Sequence, residues 1–135
     1  MSREVSRGLL DTSVLIAFES GRLLRAEAMP ETTAISVVTK AELRAGIFVA
    51  GDIETRNQRL MTFELANRIV SLPIDEDVSR AWAQMRAYLA ASGRRVAVND
   101  MWIAATAAAY EMPVLTQDRG FDALNGVAGL TVIPV

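Results

Sequence analysis

Neither histidine nor cysteine occurs anywhere in this chain. Their absence excludes a Ser-His-Asp triad, a thiol nucleophile, histidine-based proton transfer, disulfide bridges and the usual zinc sites. Lysine is nearly missing as well: thirteen of the fourteen cationic residues are arginine, and Lys40 is the exception. Arginine suits bidentate contact with phosphate, although a compositional bias of the source genome explains the imbalance equally well. No apolar run approaches bilayer-spanning length. The opening Met1-Ser2-Arg3-Glu4-Val5-Ser6-Arg7 lacks the apolar core of a signal peptide. The chain is therefore expected to be soluble and cytoplasmic, with no membrane partner. Excess positive charge is also missing, since 14 cations face 16 acids for a net charge of −2. No global electrostatic footprint for nucleic acid exists, which leaves open an enzyme whose acids are gathered in one pocket.

What is present is apolar and ordered. A hydrophobic content of 51% with 22% charge describes a folded globule. A length of 135 residues fits one domain over 1–135 with a core of its own. There is no internal repeat, low-complexity tract or linker. Short apolar runs alternate with helical stretches: Gly8-Leu9-Leu10, Ala34-Ile35-Ser36-Val37, Ile69-Val70-Ser71-Leu72, Pro113-Val114-Leu115-Thr116 and Leu130-Thr131-Val132-Ile133. Helices are predicted near 12–28, 38–50, 53–68, 76–92, 99–111 and 119–125, the first breaking near Ser20-Gly21. Such alternation reads as α/β with a mostly parallel sheet. Helices 53–68 and 76–92 are expected to pair, with Trp82, Met85 and Leu89 at core-facing spacing.

On this map four acids stand among apolar or small residues. Asp11 follows the first strand and Asp118 follows the fourth. Glu42 lies one turn into the helix after the second strand, and Asp100 opens the helix after Asn99. Ligands of open α/β sheets gather outside the carboxyl ends of the strands, so all four acids are predicted at one edge. Each also has an ordinary reading. Asp11 is a good helix N-cap, Asp100 complements a helix dipole, and Asp118 in Asp-Arg-Gly suits an Asx-type turn. Glu42 is the sharpest anomaly, because a stripe of Val38, Ala45, Gly46 and Val49 surrounds it and no cation shares that stripe. Asp100 shares a face with Ile103, Ala104, Ala107 and Ala108, which should hold it at the rim of the core. Ser13 and Thr116 are candidates for orienting a carboxylate or a water, and Asp122 reads as a turn or surface residue.

Together the four say more than singly. Carboxylates about 5 Å apart repel by roughly 3 kcal/mol per pair at an effective dielectric near ~20. Such a cluster must protonate in part or collect a divalent cation. Clustered oxygens suit Mg2+ or Mn2+, and a bound ion both activates water and stabilises charge on a phosphate. The chemistry indicated is metal-assisted attack on a phosphodiester.

Leu10-Asp11-Thr12-Ser13, Ser36 through Glu42-Leu43, Asn99-Asp100 with Ile103-Ala104-Ala105, and Thr116-Gln117-Asp118 with Phe121 resemble the motifs of the PIN-domain family. Their order and strand–helix context are similar to those of VapC-type toxins of bacterial toxin–antitoxin pairs, from about Gly8 to Val135. The resemblance implies a three-layer sandwich with sheet order 3-2-1-4-5 and helices on both faces. It implies that Asp11, Glu42, Asp100 and Asp118 hold Mg2+ or Mn2+ in a ribonuclease site. It further implies a homodimer, a cognate VapB-type antitoxin whose tail occludes the acidic groove, and cleavage of structured RNA that arrests translation. One departure is visible: many members carry another acid just before the phenylalanine, where this chain has Gly120.

Basic residues available to guide an RNA backbone are Lys40, Arg44, Arg94, Arg95 and Arg119, with Arg94-Arg95 best placed ahead of the Asp100 helix. Nothing reads as a base-specific contact, so RNA and DNA are not distinguished by residues alone. A phosphoryl-receiving signalling domain would need paired acids after the first strand and a lysine after the last. Here Asp11 stands alone and Lys40 is misplaced. A catalytically silent module that docks a basic peptide in the acidic groove is the remaining alternative.

Overall fold

The computed structural model describes residues 6–135; residues 1–5, part of the N-terminal segment read above, lie outside the described residues. Five strands form one sheet: β1 (Arg7–Leu10), β2 (Thr32–Ser36), β3 (Val70–Leu72), β4 (Val114–Thr116) and β5 (Val132–Pro134). Their order is β3-β2-β1-β4-β5, and every neighbouring pair is parallel. The expected order therefore holds, and the sheet is wholly rather than mostly parallel. The helices are α1 (Thr12–Ser20), α2 (Val37–Phe48), α3 (Ile53–Ala66), α4 (Glu76–Ser92) and α5 (Val98–Ala109).

Parallel strands need both faces covered, and the period-2 alternation of their side chains supplies two cores. Leu9, Ala34 and Val114 point into one, with Val78, Met85 and Leu89 of α4, Ile103, Ala104 and Ala107 of α5, and Phe121. Leu10, Ile35 and Leu115 point into the other, with Val14 and Leu15 of α1, Leu43 of α2 and Ala66 of α3. Trp82 stacks on Trp102 with ring centroids 4.9 Å apart, fastening α4 to α5.

Three sequence expectations are corrected. The first helix ends at Ser20, at the break predicted near Ser20-Gly21, but no α-helix resumes from there to 28. Gly21 takes the left-handed conformation (φ 73°) that closes a helix, and residues Ala26–Ala28 form only a 3-10 turn. The segment Arg119–Leu124 is likewise a 3-10 helix. Helices α3 and α4 do not pair: α3 packs on α2 and α1, whereas α4 packs on α5, across the sheet. Periodicity defines an apolar face but not the surface that it meets.

Candidate active site

Three of the four acids stand where a strand ends or its helix begins. Asp11 follows β1 and caps α1, Asp118 follows β4 and caps the 3-10 helix, and Asp100 is the third residue of α5. Glu42 projects from the second turn of α2. The ordinary readings, a helix cap for Asp11 and a turn for Asp118, therefore hold alongside any chemical role. Asp118 Oδ1 accepts the backbone N–H of Gly120 at 2.9 Å, as an Asx-type turn requires.

Hydroxyl groups dominate the hydrogen bonding of these acids. Asp11, almost fully buried, accepts at Oδ2 from Ser13 Oγ at 2.7 Å and from Thr116 Oγ1 at 2.9 Å. Those hydroxyls are themselves oriented, because Gln117 N–H donates to Ser13 Oγ and Asp118 N–H donates to Thr116 Oγ1. Their own protons are left to point at the carboxylate. Glu42 accepts at Oε1 from Thr12 Oγ1 at 2.7 Å, and Thr12 Oγ1 lies 2.9 Å from Thr39 Oγ1. The partner of Glu42 is thus a threonine from another helix. The buried face of α2 is Thr39 and Leu43, while Ala45 and Val49 are exposed, so the stripe read around Glu42 is rotated from the true one. Thr12 and Thr39 were missed by sequence reasoning; the signal was two threonines, one beside Asp11 and one a turn before Glu42.

Asp100 feels all the others. Burial pushes its carboxyl up to about 7, helped by the charges of Asp11, Asp118 and Glu42 in that order. A Cβ built at Gly120 would lie 3.4 Å from Asp100 Oδ2 and 3.4 Å from both carboxylate oxygens of Asp118. Position 120 therefore faces the gap between these acids, and glycine leaves that gap open. Clefts approach from two sides: one of about 510 Å3 beside Thr116, Asp118 and Arg119, and one of about 560 Å3 beside Glu42 and Asn99.

Among the described residues, no three acids stand close enough to form a ready-made cation cage. They are a charge-coupled set, not a closed shell. The donor chemistry still fits a hard divalent ion: the candidates are carboxylate oxygens, and the bonds that hold Asp11 and Glu42 come from uncharged groups. Of the basic candidates, Arg94 and Arg95 are exposed between α4 and α5, and Arg119 is exposed beside Asp118. Lys40 is half-buried on α2. The Arg44 guanidinium lies 4.9 Å over the Phe63 ring, so it is engaged elsewhere.

Comparison with known proteins adds to this geometry. The family model described as PIN domain matches residues 8–127. Over 135 residues the chain is 50% identical to ribonuclease VapC5 of Mycobacterium tuberculosis, covering all of both proteins. It is 43% identical to ribonuclease VapC4 of the same organism, covering 95% of this chain and 98% of that one. The crystal structure of VapBC-5, a member of the VapBC family of toxin–antitoxin systems from Mycobacterium tuberculosis, contains a chain that superimposes with a TM-score of 0.88. That chain is 46% identical, and the match covers 96% of this chain and 99% of the other.

Proposed function

This chain belongs to the PIN-domain family, and with VapC proteins as its relatives we propose that it is a ribonuclease toxin of a toxin–antitoxin pair, dependent on Mg2+ or Mn2+. The observation that carries the reading is the coupling of Asp100 to Asp11, Asp118 and Glu42. Acids from separate parts of the sequence that act on one half-buried carboxylate would be relieved of their repulsion by a cation gathered there. Asp11, Glu42, Asp100 and Asp118 are the residues that would hold the cation. When bound, a divalent ion supplies a more acidic water and neutralises charge building on the scissile phosphate.

The chain's own residues do the positioning. Ser13 and Thr116 fix Asp11 without cancelling its charge. Gly120 keeps backbone rather than side chain against Asp100 and Asp118. Exposed Arg94, Arg95 and Arg119 are available to hold the RNA backbone, as is half-buried Lys40 on α2, the helix that carries Glu42. Such contacts position the substrate and carry no base sequence information. Arrest of translation is the consequence expected when structured RNA is cut.

The partner proposed is a VapB-type antitoxin. An apolar groove of about 630 Å3 between α1 and α3 is lined by Leu15, Phe18, Met61 and Leu65, and Phe18 and Met61 are well exposed. It shares Glu19 with a second groove of about 360 Å3 that ends at Thr12 and Glu42. A protein segment lying there would reach the acidic site, which supports inhibition by occlusion. Family likeness also makes a homodimer the expected state. Among the described residues, no helix is long and apolar enough to cross a membrane.

The test is cleavage of total cellular RNA by purified, antitoxin-free protein with Mg2+ or Mn2+. EDTA should abolish cutting, and Asp100→Asn should lower it by about 100-fold or more while the protein stays folded, since cation-assisted charge stabilisation is worth several kcal/mol. A folded wild type that cuts no RNA and binds neither metal would instead be a silent module that docks a basic peptide.

A further inference from the structure

We infer that Thr12, braced by Thr39, is a positioning residue that holds the Glu42 carboxylate in place for the cation. The inference rests on the reading above that this site binds a divalent ion.

Glutamate has three rotatable bonds, and Glu42 is only half-buried, so the α2 backbone alone does not fix its carboxylate. Among the described residues, the one hydrogen bond to it comes from Thr12 Oγ1, at 2.7 Å. A threonine hydroxyl has a single proton. With that proton committed to Glu42, the 2.9 Å contact between Thr12 and Thr39 has Thr39 as donor and Thr12 as acceptor. The result is a directed chain, Thr39 to Thr12 to Glu42, that leaves α2, crosses to α1 and returns to α2. Both threonines are buried, so water does not compete freely for these bonds. Thr12 is also the residue after Asp11, which gives the Asp11-Thr12 pair two tasks: one carboxylate for the site and one clamp on a second. A hydroxyl donor suits this work because it fixes an anion without neutralising it. An arginine at the same place would occupy the cation's role.

Isothermal titration of the purified full-length protein with Mn2+ tests this. Thr12→Val is nearly isosteric and removes the hydroxyl, both the donor to Glu42 and the acceptor for Thr39, so Mn2+ affinity should fall by about 10- to 100-fold, the usual effect of losing a group that orients a metal ligand. Thr12→Ser should restore most of it. Thr39→Val should cause a smaller loss in the same direction, and it serves as the second variant if Thr12→Val fails to give a native melting curve. Because Thr12 acts through Glu42, Thr12→Val should cost little or nothing further in a Glu42→Gln background. Wild-type affinity in Thr12→Val, failure of Thr12→Ser to rescue, or an undiminished loss in Glu42→Gln would each overturn the inference. A wild type that binds no Mn2+ would overturn the cation site itself. Binding that is indifferent to Thr12 and Thr39 would leave that site standing and remove only their role in it.

Discussion

Asp100 concentrates the electrostatics of the site in one residue. Its carboxyl is raised from an ordinary 3.8 to about 7 by burial and by Asp11, Asp118 and Glu42. A cation must displace the proton, so Mn2+ affinity should fall about tenfold per pH unit below about 7, measurable by titration at pH 5, 6, 7 and 8. Stability of the metal-free protein follows the same group. Between about 3.8 and 7 the folded state holds more protons than the unfolded state, so this contribution is full below 3.8 and is lost as pH rises through 7. Asp52 and Asp75 act oppositely. The Thr55 backbone N–H lowers the first and the Tyr110 hydroxyl lowers the second, so their contributions fade only as pH falls below the usual carboxylate range. Thermal melts without metal should therefore show higher stability at pH 5 than at pH 8, and Asp100→Asn should flatten the difference. All four acids were legible in the sequence as charges out of place. Thr12 and Thr39 stood beside those acids in the sequence, but that spacing did not show that Thr12 reaches across to Glu42 from another helix.

Gly8 shows what the central strand demands of its neighbours. A Cβ there would stand 2.5 Å from Leu115 Cδ1 and 3.0 Å from Pro30 Cγ. Leu115 is fully buried and the proline ring is stiff, so neither yields easily. Gly8→Ala should cost about 1–3 kcal/mol in urea unfolding, the range for overpacking a core. Strands were readable from their apolar runs because a strand buried on both faces needs apolar residues nearly throughout. Helix α4 was equally readable, with Val78, Ala81, Met85 and Leu89 all buried on one face. That it meets α5 and not α3 was not readable. α3 buries only Thr62 and Ala66 and leaves Leu60, Met61 and Leu65 exposed, so apolar content overstated what the helix contributes to the core.

At the scale of the molecule, the two cores share one sheet. Leu9 and Leu10 are adjacent in sequence yet belong to opposite cores, as do Ala34 with Ile35 and Val114 with Leu115. Neither core can open without disturbing strands that the other depends on. The expectation of a single domain over 1–135 therefore predicts one cooperative unfolding transition, coincident by near- and far-ultraviolet circular dichroism. Met85→Ala, at a fully buried position of α4, should lower that stability by about 2–5 kcal/mol and shift both signals together. Two separate transitions would divide the domain.

The sequence by itself determined the alternation of strands and helices, the absence of histidine and thiol chemistry, and the presence of four acids among apolar or small residues that the proposed chemistry would use. These follow from local spacing and composition, which a linear chain displays directly. Tertiary structure alone decided that α3 and α4 lie on opposite faces, that Thr12 and Thr39 are the groups facing Glu42, and that Gly120 opens onto Asp100 and Asp118. Such relations join residues far apart in sequence. They are fixed only when parallel crossovers bring the strand ends to one edge of the sheet, where hydroxyls and carboxylates from different elements come within hydrogen-bonding reach.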